Sequence, residues 1–276
     1  MVAAVVKREG HAVLNADDPL VVAMRERTAA DIVFFSVQPD GANELVEDHL
    51  ARNGIVARLE EDTFVIRRGR LRIPIAGVWE VPLMMGGAAR FQRGNILAAI
   101  ATAYVQGLRY DDIRAGLLSF FPSPSMTPGR MNLLRLGEAR VLVDSAHNPA
   151  AVEGLIDFAL RLPATGRVGV VTAPGDRRDE DIRNLGRLSA SFDRVIVKED
   201  EDRRGRAPGE IAALVVEGLR EGGASDDRIE VVPSEHGAVE RLMEALAPGE
   251  LGVVLADDVP AVLAQVQARA TGTPAV

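Results

Sequence analysis

Short apolar runs alternate along this chain with longer segments whose apolar positions recur every three or four residues. Ala12–Ala16 and Ile32–Val37 read as strands, and Asp17-Asp18-Pro19 between them opens a helix with an acidic cap and a proline in its first turn. Residues 44–53 read as a helix that Gly54 stops. Three short β segments follow near 55–59, 63–68 and 71–76, with Arg68-Gly69-Arg70 as a turn. A glycine-rich connection over 82–94 leads to apolar helices from Asn95 to about Gln106 and from Asp111 to Phe120.

Prolines and serines cluster at Pro122-Ser123-Pro124-Ser125 and Pro128-Gly129, which marks a linker and a domain boundary between residues 122 and 123. Beyond it the period changes to a regular β/α alternation. Strands are expected at 139–143, 167–173, 194–198, 229–232 and 251–256. Helices are expected at 149–161, 179–190, 208–221, 235–247 and 259–268. Runs such as Val168–Val171 are almost continuously apolar, as in parallel strands buried on both faces. The expected class is α/β, with a doubly wound, Rossmann-like second domain whose ligands sit at the carboxyl ends of the strands.

Composition narrows the chemistry. The 276 residues are 47% hydrophobic and 26% charged, the profile of a soluble globular chain expected in the cytoplasm. No cysteine is present, so disulfides, thiolate metal sites and a cysteine nucleophile are excluded. No apolar run is long enough for a bilayer, and the net charge of −8 argues against a nucleic-acid partner. Only Lys7 and Lys198 are lysines among 32 basic residues, and neither lies in a G-x-x-x-x-G-K-[ST] loop. A G-x-G-x-x-G strand turn, an H-E-x-x-H pair and a G-x-S-x-G elbow are also absent, and the four histidines have no metal-ligand spacing. A nicotinamide oxidoreductase is thereby weakened.

Four loops follow strands, where such folds bind ligands. Leu14–Pro19 serves as a helix cap or as a polar shelf beside a nucleotide. Val143–Pro149 needs only Asn148 and Pro149 for capping, whereas Asp144 and His147 are additional; a carboxylate there suits ribose hydroxyls. Ala173–Asp181 carries acids that favour a helix start, but Arg177 and Arg178 suit carboxylate or phosphate recognition. Lys198–Gly209 reads as a solvated charge run or as a substrate loop holding a zwitterion from both ends.

Together these stretches resemble the Mur ligase superfamily and, within it, the Mur-ligase-like half of the cyanophycin synthetase family. The resemblance is carried by Leu14-Asn-Ala-Asp-Asp-Pro19, Gly87–Asn95 with Leu97-Ala-Ala99, Pro128-Gly-Arg-Met-Asn132 and Asp144-Ser-Ala-His-Asn-Pro149. It continues through Pro174-Gly-Asp-Arg-Arg-Asp-Glu-Asp181, Glu199-Asp200, Arg204-Gly-Arg206 and Gly209-Glu210. It implies that residues 1–122 are the C-terminal part of a central ATPase domain and 123–276 the Rossmann-like C-terminal domain. It further implies ATP and magnesium as cofactors. The implied reaction is amide formation through an acyl phosphate, adding arginine to the side chains of a polyaspartate backbone.

By the same resemblance Asn95 contacts adenine, Arg130 the phosphates and Asp144 the ribose, with His147 and Asn148 lining that pocket. Arg177, Arg178, Arg204 and Arg206 face the acidic polymer or the incoming amino acid. Charge makes Glu199 or Asp200 the candidate for arginine's guanidinium. The sequence departs from the family at Ser145, where a tyrosine is usual, and the phosphate loop, magnesium ligands and carbamylated lysine are expected upstream of Met1. The isolated chain is therefore expected to be inactive, with an unpaired sheet edge that favours a homo-oligomer or a complementing chain. A non-catalytic relic that binds a polymer or a partner is the alternative.

Overall fold

The computed structural model describes residues 2–199 and 202–270. Its contacts divide the chain into two compact units, Met1–Phe121 and Pro122–Val276.

The first unit is a five-stranded sheet with helices on both faces. Its strands are β1 (His11–Asn15), β2 (Asp31–Ser36), β3 (Ile55–Glu60), β4 (Thr63–Arg68) and β5 (Leu71–Gly77), in that spatial order. β1, β2 and β3 run parallel, and β3, β4 and β5 antiparallel. The short helix α1 (Pro19–Val22) follows β1, and α2 (Glu44–Ala51) connects β2 to β3. α3 (Gln92–Val105) and α4 (Tyr110–Ser119) close the unit. Alternation along each strand separates two cores. Val33 joins Ile96, Leu97 and Ile100 of α3 on one face, while Leu14 and Phe34 meet Val46 and Leu50 of α2 on the other.

The second unit is a six-stranded sheet in the order β10-β9-β8-β11-β7-β6. It begins with β6 (Asn132–Leu136) and β7 (Ala139–Asp144), followed by α5 (Pro149–Arg161), β8 (Arg167–Val171) and α6 (Asp179–Ser189). Next come β9 (Arg194–Val197), α7 (Glu210–Glu221), β10 (Ile229–Val231), α8 (Glu235–Ala245), β11 (Leu251–Leu255) and α9 (Val259–Arg269). All pairings are parallel except β6 with β7. Valines of β7, β8 and β11 pack against Val239 and Leu242 of α8 and Val262 and Val266 of α9. On the other helices the buried residues include Leu155, Ile182 and Leu219. The class is α/β with mostly parallel sheets, as the apolar runs imply. β6 has no counterpart in the strands expected from the sequence: Asn132 opens it directly after a turn, and its residues pair antiparallel along β7.

Candidate functional site

β7 delivers Asp144 to the carboxyl end of the sheet, where its side chain is 7% exposed. Its Oδ2 accepts the backbone N–H of Met131 at 2.9 Å. Burial pushes the carboxyl above its usual range, against smaller opposing effects from the amides of Met131 and Ala146 and from the charges of Arg130 and His147. Asn132, fully buried, completes the turn. Its Oδ1 accepts from Gly129 N at 2.7 Å, and its Nδ2 donates to the carbonyls of Thr127 and Arg130. The turn needs glycine at 129, because φ is +68° and a Cβ would lie 2.6 Å from Val259 Cγ2. Met131 also has positive φ. Asp144 and Asn132 thus fix a turn whose Arg130 side chain stands in solvent.

Past Asp144 the chain stays tied to that turn, since Ser145 N donates to Gly129 O at 3.0 Å. His147 is exposed and its Nδ1 lies 2.9 Å from its neighbour Ser145's carbonyl oxygen. Asn148 caps α5 by accepting Ala151 N at 3.0 Å, so its side chain already has a structural partner. Arg130, Asp144, His147 and Asn148 therefore share one end of the second unit. Asn95 belongs to the first unit, on the opening turn of α3, where it is exposed and donates to Gln92 Oε1 at 2.8 Å.

The loop after β8 carries Arg177 and Arg178. Arg178 is 84% exposed and bonded through two nitrogens to Asp181, at 2.9 and 3.0 Å. Arg177 is partly buried. Its Nε has no hydrogen-bond partner among the described residues, with Asp176 Oδ1 3.8 Å away. Thr172 Oγ1, at the start of the same loop, is buried and equally without a partner. The sequence reading passed over Thr172; a hydroxyl directly after the apolar β8 run was the available signal.

Arg206 reaches this loop from the segment after β9. Its Nε donates to Gly175 O at 2.8 Å and its Nη2 to Arg177 O at 2.7 Å. It also pairs with Asp179 at 2.8 Å and Glu210 at 2.7 Å. Its donors hold backbone and neighbouring carboxylates and tie two loops together. Gly175 permits the approach: a Cβ there would lie 2.2 Å from Arg203 O. Arg204, with positive φ, pairs with Asp202 at 2.6 Å and is more than half exposed. Glu199 is 8% exposed and borders α7, while Asp200 lies outside the described residues.

Lys198, the first residue of the loop after β9, is bound inside the fold rather than in solvent. Lys198 is fully buried and its Nζ lies 2.7 Å from Glu235 Oε1. Glu235 also accepts the amides of Asp257 and Asp258, both at 2.9 Å. Among the described residues no group of three His, Cys, Asp or Glu side chains is disposed to hold a metal ion. These residues do not fit magnesium. No helix is long and apolar enough to cross a membrane.

Residues 129–257 match the family model described as Mur ligase, glutamate ligase domain. The chain is 42% identical over 270 residues to cyanophycin synthetase of Crocosphaera subtropica, covering 98% of this chain and 30% of that protein. It is 34% identical over 182 residues to UDP-N-acetylmuramoyl-L-alanyl-D-glutamate--2,6-diaminopimelate ligase of Corynebacterium efficiens, covering 64% of this chain and 33% of that one. The chain thus spans about a third of the length of these curated relatives. Among solved structures, E. coli FolC in complex with ADP matches with a TM-score of 0.61 and 18% identity, over 90% of this chain and 51% of that one. Folylpolyglutamate synthase of Mycobacterium tuberculosis, complexed with ADP, matches with a TM-score of 0.59 and 18% identity, over 96% and 64%. At such identity the structural likeness concerns the fold.

Proposed function

Because the chain belongs to the Mur ligase superfamily, we propose that it supplies nucleotide- and amino-acid-binding surfaces of an ATP-dependent carboxylate–amine ligase of the cyanophycin synthetase type. In this reading a carboxylate oxygen attacks the γ-phosphorus of ATP, giving an acyl phosphate and ADP. An amine then attacks the acyl carbon, phosphate leaves, and an amide forms after loss of a proton. The amine is that of arginine, and the carboxylates are side chains of an aspartate polymer.

One observation carries the reading: a buried carboxylate and a free guanidinium on a single locked turn at the carboxyl end of β7. Open parallel sheets take their ligands at that end. Arg130 supplies charge to phosphate oxygens, and Asp144 accepts ribose hydroxyls through lone pairs that its amide partners leave free. His147 and Asn148 border the same end. Arg177 and Arg178 are the candidates for substrate carboxylates. The adenine contact at Asn95 stands on the family resemblance alone. Magnesium would neutralise phosphate charge in such a reaction, but the described residues offer it no ligand set.

The test is ATP titration of the 276-residue chain, followed by backbone NMR. Shifts confined to 129–132 and 144–148, reduced by Arg130→Met and Asp144→Asn, are the expected result. ATP binding that ignores both substitutions, or no binding at all, sinks the reading.

A further inference from the structure

The opposite end of the first unit, where its parallel strands begin, has chemistry that the proposed reaction does not use. Strands β1, β2 and β3 start there at His11, Asp31 and Ile55, and Arg68 lies directly across from Ile55. The turn after β4, Arg68-Gly69-Arg70, folds against the end of α2, because Gly69 N donates to Gly54 O and Gly69 packs on Asn53. Arg52 immediately precedes Asn53. Arg52 in turn lines a cavity of about 620 Å³ whose other wall includes Arg25, with Phe34 and His49 inside. Arg25, Arg27, Arg52, Arg68 and Arg70 therefore all lie at this end of the unit, each exposed.

None of the five arginines forms an ion pair among the described residues, as is also true of Arg130 and Arg135 in the second unit, so it is their number at one end of one sheet that sets them apart. The carboxylates sharing this end are Glu9, Glu26, Asp31 and Asp48, and Lys7 and Arg8 lie beside Glu9, so cations outnumber carboxylates here on a chain whose net charge is −8. The Arg52 charge also reaches into the cavity and adds to burial in keeping His49 neutral.

The geometry points to a docking surface for an acidic polypeptide in extended form. Four strands side by side span roughly 14 Å, which about four extended residues cover at 3.3–3.6 Å each. Carboxylates on such a chain recur at distances that guanidinium groups can bridge bidentately. Nucleic acid is disfavoured because this surface carries no exposed aromatic ring for bases to stack on. The inference rests on the ligase reading in one respect: the aspartate polymer proposed there is such a polypeptide.

The experiment is fluorescence anisotropy of a labelled oligo-aspartate, about ten residues long, with the 276-residue protein at low and physiological salt. Binding should weaken with salt. The triple reversal Arg52→Glu, Arg68→Glu, Arg70→Glu should weaken it about tenfold or more. A triple of equal charge change in the second unit, Arg135→Glu, Arg220→Glu, Arg241→Glu, should leave it within about twofold. Circular dichroism checks that both triples fold. Equal loss in both triples, no loss in the first, no binding by the unsubstituted protein, or preferential binding of an oligoribonucleotide of equal charge overturns the proposal. ATP binding at 129–132 is read on the same samples. If it persists while oligo-aspartate fails, the docking surface is wrong and the ligase reading stands; the reverse pattern separates them the other way.

Discussion

The backbone N–H of Met131 donates to the Asp144 carboxylate, so the residue proposed to meet ribose also fixes the turn that presents Arg130. Removing the carboxylate strands a buried donor. Asp144→Ala should cost about 1–3 kcal/mol of stability, read as a lower urea midpoint, whereas Asp144→Asn keeps an acceptor and should cost less. The sign of the pH effect is fixed by burial. The folded carboxyl titrates above its unfolded counterpart, so between the two pKa values the folded state binds more protons. Stability should fall as pH rises through that window from about 4, and Asp144→Asn should remove this component. An unchanged pH slope in Asp144→Asn would count against the burial effect.

His49 has the opposite linkage. Burial lowers its pKa, Arg52 adds to the effect, and the backbone carbonyls of Ile32 and Ile55, as acceptors facing the ring, only partly offset it. Its ring edge lies where a Cβ on Gly54 would stand, at 2.3 Å. Below about pH 6.5 the unfolded chain takes up a proton that the folded one resists, so stability is lost as pH falls. Thermal unfolding at mildly acidic pH should show a larger loss for the unsubstituted protein than for His49→Gln. Equal losses would remove His49 from the account.

Arg206 and Arg178 should separate by what their loss does. Arg206→Met frees two carbonyls and two carboxylates, so amides 175–178 and 203–206 should exchange faster with deuterium. Gly175→Ala should do the same by forcing Arg203 O away. Arg178→Ala breaks an exposed pair that solvent screens, so exchange should hardly change. Fast exchange after Arg178→Ala and none after Arg206→Met would invert these roles.

The 276-residue chain alone should bind nucleotide without incorporating arginine into an aspartate polymer. Its two lysines sit in no phosphate loop, and positioned cations around the γ-phosphate carry most of this kind of catalysis. Radiolabelled arginine with ATP and polymer is the assay, and ATP-dependent incorporation by the pure chain would refute the expectation.

Much of the fold was legible because β8, β9 and β11 of the second unit are compact apolar runs bounded by turn residues, as at Val168–Val171. β6 was not, because Asn132 looks like a loop residue and its burial comes from bonds to Gly129 and Thr127 that no periodicity encodes. Arg58 is a similar case: it is 2% exposed in the middle of β3, held by Asp40 at 2.7 Å and Glu47 at 2.9 Å. The site loops were legible by their position after strands. Which of their arginines stay free was not, since Arg206 and Arg177 differ only in what the fold puts beside them.

The buried Lys198–Glu235 pair bears on how this sequence can drift. Thirty of the 32 basic residues are arginines. At exposed Lys7 exchange for arginine meets no obstacle. At Lys198 a buried ammonium meets Glu235, which also holds the backbone of Asp257 and Asp258. A planar guanidinium is wider and needs partners in a fixed fork. Lys198→Arg should lower the melting temperature and Lys7→Arg leave it unchanged, so of the two lysines only one is held in place by the geometry of its carboxylate partner.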